Sequence, residues 1–70
     1  MHYSVIQFMN GAFVVKFEGT DKDSMKYNYF NWLSLLYNDK GAAKGVVKLV
    51  DENLDVVDGC VEFIDKPAKQ

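Results

Sequence analysis

Arginine is absent from these 70 residues, and cysteine, histidine and proline occur once each. Without arginine the chain has no forked guanidinium to read guanine edges or to grip phosphate at two points, so nucleic acid is not an expected partner. Cys60 alone can form neither an intramolecular disulfide nor a multi-cysteine zinc site. His2, next to Met1, is too isolated to join a histidine triad or a multi-histidine metal centre. There is no apolar run of membrane length and no secretory signal pattern, so a cytoplasmic setting without membrane attachment is expected. No G-x-G-x-x-G, P-loop, G-x-S-x-G or C-x-x-C motif appears. These absences together lead us to expect no enzyme activity, no cofactor and no bound metal.

Apolar material, in contrast, is plentiful. Hydrophobic residues make up 49% of the chain, and one Trp, four Tyr and five Phe are included. So short a chain has room for one core, expected over residues 1–65, with Lys66–Gln70 as a flexible tail. The net charge of −2 is unevenly spread: between positions 45 and 65, Asp51, Glu52, Asp55, Asp58, Glu62 and Asp65 face only Lys48, a local net charge of −5.

Residues 3–18 alternate around Asn10-Gly11, a pair that tolerates the positive φ of a type I′ turn and so predicts a β-hairpin. With Met9 opposite Ala12, Phe8 pairs with Phe13, Ile6 with Val15 and Ser4 with Phe17, and this face is expected to be core. The other face, with Tyr3, Val5, Gln7 and Met9 opposite Glu18, Lys16, Val14 and Ala12, is half apolar where a solvated sheet would be polar. It is either ordinary mixed surface or a surface covered by a second chain. Tyr3, Val5, Met9 and Val14 are therefore candidate partner-binding residues.

Thr20–Ser24 offers several N-caps, Thr20 and Asp23 at capping-box spacing. Met25, Tyr29, Trp32, Leu33 and Leu36 then share one arc at helical periodicity, with Asn28, Asn31 and Asn38 opposite. Tyr27 lies off that arc and joins the candidate partner contacts. Asn38-Asp39-Lys40-Gly41 predicts a left-handed C-cap, with Lys40 complementing the helix dipole. Gly41–Gly45 reads as a linker, since a glycine-rich loop leading out of a helix aims no amides at an anion.

Val46–Val50 and Val56–Ile64, rich in β-branched residues, predict a second hairpin around Asp51–Asp55. In its simplest register Lys48 faces Asp58, Gly59 faces Val47 and marks a bulge or tight packing, and Leu49, Val57, Val61 and Phe63 take the core side. Asp51, Asn53, Asp55 and Glu62 match positions 1, 3, 5 and 12 of a calcium loop. The sixth position, however, is Val56 where glycine is required, and the preceding segment has strand character, so a polar hairpin loop is expected.

The runs Tyr3–Phe8 and Val47–Gly59 resemble small uncharacterised proteins of Firmicutes phages and mobile elements. The resemblance implies no activity; it implies a class of small accessory factors that act by binding other proteins. The expected fold is α+β, ββαββ, a four-stranded antiparallel sheet in the order 2-1-3-4 with one helix on one face. Phe8, Phe13, Val15, Phe17, Leu33 and Phe63 are expected in the core. The expected function is a non-enzymatic, homodimeric protein-binding module modulating a host protein; the alternative is an acidic nucleic-acid mimic that blocks a basic groove.

Overall fold

The computed structural model describes residues 1–67, in which β1 (Tyr3–Met9), β2 (Ala12–Gly19), α1 (Lys22–Asn38), β3 (Ala43–Asp51) and β4 (Val56–Lys66) follow one another. The strands form one antiparallel sheet in the order β2-β1-β3-β4, and α1 packs across one side. The ββαββ expectation and the strand order both hold.

Asn10 and Gly11 have φ of 54° and 82°, as a type I′ hairpin requires. The expected pairing holds from Met9–Ala12 through Ile6–Val15, after which Lys16 is extra and Phe17 lies opposite Val5 instead of Ser4. A one-residue slip reverses the faces beyond it. Glu18 therefore meets His2 on one side, with Oε1 3.3 Å from Nε2, while Gly19 on the other backs onto Met25.

The helix selects the sheet face opposite to the expected one. Val5, Val47 and Leu49 are fully buried beneath it and Met9, Cys60 and Ile64 nearly so, together with Met25 and Tyr29 of α1; Tyr3, Trp32, Leu33, Leu36 and Val57 pack around them. Of the residues expected in the core, Leu33, Leu49 and Val57 belong there, whereas Phe8, Phe13, Val15, Phe17 and Phe63 are exposed. The central strand β3 explains the choice. Lys44 and Lys48 lie on the phenylalanine side of β3, Val47 and Leu49 on the other. Turning the lysine side toward α1 would desolvate two ammonium groups, at roughly several kcal/mol each, and would expose Val5, Val47 and Leu49.

The second hairpin starts in the expected register, with Val50 opposite Val56, but Lys48 then meets Val61 in place of Asp58. The three intervening extra residues are accommodated by left-handed backbone at Asp58 (φ 51°) and Gly59 (φ 71°). An odd shift exchanges faces, so Cys60 and Ile64 turn inward while Val61 and Phe63 turn to the uncovered side. Strand β3 begins at Ala43, so the expected linker through Gly45 is shorter. Gly45 is required there: a Cβ would lie 1.9 Å from the Phe8 carbonyl oxygen.

The α1 N-cap is Asp21, whose carboxylate accepts from Ser24 N (3.2 Å) and Ser24 Oγ (2.6 Å). This pair outcompetes Thr20 and Asp23, and the hydrogen bonds hold the Asp21 carboxyl below its ordinary range. At the other end Asp39 is extended (φ −72°) and its N–H donates to Leu35 O at 3.0 Å, so no left-handed cap forms. Lys66 Nζ donates to the carbonyls of Leu36 and Asp39, taking the place expected for Lys40. Lys66 thus belongs to β4 and not to a tail; the rest of the expected tail beyond Pro67 lies outside the described residues.

Candidate interaction surface

The pairing of the four strands determines what the uncovered side presents. Phe13, Phe8, Val46 and Phe63 are successive cross-strand partners, giving one row across all four strands. Val15, Ile6, Lys48 and Val61 form the next row, and Glu18, Ser4, Val50 and Val56 the third, in which Val50 is buried. Phe8, Phe13 and Phe63 are 51%, 60% and 78% exposed. Taking a phenylalanine as roughly 200 Å², these three rings alone offer on the order of 400 Å² of apolar surface. That already falls within the range of the largest patch on an ordinary monomer, about 300–600 Å², before Val15, Val56 and the half-buried Ile6, Val46 and Val61 are included.

The polar groups sit mostly at the margins. Lys44 and Asp65 are partners at one end of the sheet, and Glu18 with His2 closes the other. Lys48 alone enters the apolar field; it is half-buried and has no ion pair among the described residues. An apolar centre inside a charged rim is the anatomy of protein–protein interfaces.

The candidates from the other face fare differently. Val5 and Met9 are buried under α1 and cannot meet a partner, and Tyr3 is half-buried against the same core. The apolar excess on that face is thus explained by the chain's own helix. Val14 is exposed at the sheet edge beside that layer, and Tyr27 is exposed on the outside of α1 as expected. Sequence reasoning missed Phe8, Phe13, Val15 and Phe63 as surface residues; the readable signal was the Lys44/Lys48 pair on alternate positions of β3.

The helix-covered side is closed by specific bonds. Trp32 Nε1 donates to Gln7 Oε1 at 2.8 Å, and Lys16 Nζ lies 4.2 Å from the Trp32 ring centroid, a cation–π contact that pins the bulge residue to α1. Burial pushes the Tyr29 phenol up to about 12, and it pushes the Cys60 thiol up as well. A raised thiol pKa is the opposite of what a reactive cysteine needs.

The acidic residues do not form one free surface. Asp58 sits 3.4 Å from both Lys22 and Lys26 of α1, and these bonds hold its carboxyl below the ordinary range. Tyr37 donates to Glu62 at 2.6 Å. Asp51 Oδ1 accepts the backbone N–H groups of Asn53 (2.8 Å) and Asp55 (3.1 Å), an Asx turn inside the loop. Glu62 therefore binds Tyr37 away from the loop carboxylates whose calcium spacing it completes. The described residues form no pocket and bring no three metal-ligating side chains together, and none of their helices is long and apolar enough to cross a membrane. Comparison with protein-family models, with curated proteins and with solved structures finds no match to the chain.

Proposed function

We propose that this chain is a non-enzymatic protein-binding module that docks through the uncovered face of its sheet. The observation that carries this reading is the Phe13–Phe8–Val46–Phe63 row, which runs across four strands with its three phenylalanines exposed on the sheet face opposite to the one α1 covers. Desolvating three phenylalanines offers a partner about 1.5–3 kcal/mol for each one fully buried. A small accessory factor acting on another protein, the class implied by the phage-like segments, fits a domain that offers contact area instead of a cleft.

Two other uses of the molecule are less well supported. An acidic mimic needs its carboxylates free and continuous, yet Asp58 is neutralised by two lysines and Glu62 is bonded to Tyr37. Base stacking on the phenylalanines would need cations tracking a phosphate backbone; here Asp65 stands opposite Lys44 in the strand register, and Glu18 stands at the other margin. The test is site-specific photocrosslinking in the host cell. A photoreactive phenylalanine analogue at position 13 or 63 is expected to yield protein adducts, and one at the equally exposed Leu54, off the face, is not. Adducts independent of position would overturn the assignment.

A further inference from the structure

We propose, building on that reading, that the occupant of the uncovered sheet face is a second copy of this chain, stacked face to face to make a four-layer dimer with its helices outside. Area is the first argument. A standard interface takes about 800 Å² from each partner. The three exposed rings supply on the order of half of this, and Val15, Val56, Ile6, Val46, Val61 and the rim residues of the same face supply the remainder. A sheet face of this size matches another sheet face, with the two packed about 10 Å apart as in a β-sandwich.

The layout of the face is also self-complementary. In an isologous contact a two-fold axis running along the strands sets β1 over β3 of the second copy and β2 over its β4. The large Phe8 then faces the small Val46 and Phe13 faces Phe63, so the phenylalanine row meets itself apolar on apolar. Lys48, the one cation inside the field, faces Ile6 of the second copy and lies about one strand spacing, roughly 5 Å, to the side of its own symmetry mate, so both side chains must extend along the strands toward the Glu18 carboxylates at the rim. The two cations Lys44 and Lys48 are matched on this face by Glu18 and Asp65, so two copies bring no net repulsion to the contact.

The size of the monomer core points the same way. Ten hydrophobic residues are buried among the described residues, a small core for independent stability, and face-to-face stacking would give the sheet a second one.

Sedimentation equilibrium across 1–500 µM tests the proposal on the full chain, with Phe63→Lys and Phe13→Lys as face variants and Tyr27→Lys and Leu35→Lys as controls on the exposed side of α1. The expected result is a wild-type dimer whose dissociation constant rises at least 100-fold in each face variant and stays within threefold in the controls. Far-ultraviolet circular dichroism should show all four variants folded. Binding of the dye anilinonaphthalenesulfonate, read alongside, separates the two levels of the argument. A wild type that stays monomeric throughout, and binds dye in a manner lost on Phe63→Lys, overturns the second copy while the docking face stands. A monomer whose dye binding is absent or unaffected by the face variants overturns both. A dimer broken by Leu35→Lys or Tyr27→Lys and not by Phe63→Lys overturns the assignment of this face.

Discussion

Gly45→Ala is the smallest change that tests the pairing on which the docking surface depends. Gly45 lies opposite Met9 in the central β1–β3 pair, and an added Cβ would meet three backbone atoms: Phe8 O at 1.9 Å, Met9 Cα at 2.8 Å and Phe8 C at 2.9 Å. None of these is the end of a flexible side chain, so the two strands must separate to bring the oxygen contact to a tolerable distance, roughly 3 Å or more for a carbon against an oxygen. The bonds next in line are Asn10 N to Lys44 O (2.9 Å) and Lys44 N to Asn10 Oδ1 (3.1 Å). Losing those two at about 1 kcal/mol each, with overpacking strain of about 1–3 kcal/mol, gives a cost of roughly 3–5 kcal/mol. For a domain of this size one kcal/mol moves Tm by about 4–8 °C, so Tm should fall by at least about 12 °C in a thermal melt followed by circular dichroism. A variant within 3 °C of wild type would refute the argument. It would mean that β3 is not held against β1 in this register, and the row Phe13–Phe8–Val46–Phe63 would lose its alignment.

Leu49→Ala removes a side chain with no exposed surface and should cost about 2–5 kcal/mol, whereas Phe63→Ser should leave the unfolding midpoint of the monomer within about 1 kcal/mol; urea titrations at low protein concentration that reverse this order would invert the faces of the sheet. Leu54→Gly should stabilise, because Leu54 holds φ of 65° with its side chain 74% exposed. Relief of about 1–2 kcal/mol of left-handed strain exceeds the roughly 0.4–1 kcal/mol of added chain entropy, so a lowered Tm would count against the turn geometry. The Asp58 carboxyl is held low by Lys22 and Lys26; a depressed folded pKa contributes stability above the unfolded value, about 4, that is lost as pH falls through the folded one. In a carbon-13 titration the Asp58 midpoint should therefore rise when Lys22 and Lys26 are both changed to Ala, and an unmoved midpoint would remove those lysines as the cause.

Element order and the helix arc were legible in the sequence because each rests on a local periodicity; strand order was not, and 2-1-3-4 followed only from keeping every neighbour antiparallel, which the sheet does. Asn10-Gly11 announces the first hairpin, and Met25, Tyr29, Trp32, Leu33 and Leu36 do pack on the sheet. The choice of sheet face was not legible from the first hairpin alone, whose more apolar side carries the phenylalanines. It is decided by β3, which becomes a neighbour of β1 only through tertiary pairing. The shifts at Lys16 and at Asp58–Gly59 add an odd number of residues each, and a period-two pattern read straight through them assigns Phe17, Val61 and Phe63 to the wrong side. Gly59 signalled one of these in advance. Nothing local signalled the other, since Lys16 is held by the distant Trp32 ring. The docking candidates inherited the same inversion, which is why Val5 and Met9 proved internal while Phe8, Phe13 and Phe63 proved to be surface.

The two backbone irregularities have a further effect, because β2 and β4 are the outermost strands. An unpaired, regular strand recruits its like, and a sheet with two such borders can grow without limit into fibrils. Here each border is broken partway along, by the extra Lys16 on one side and by the left-handed Asp58–Gly59 step on the other. Lateral recruitment is therefore frustrated in both directions, and association through the exposed phenylalanine row of the sheet is left to the direction perpendicular to it. In the proposed face-to-face pair, stacking of sheets stops after one step, since the helices then lie on both outer surfaces. The molecule can thus carry a strongly adhesive surface and still form a particle of finite size.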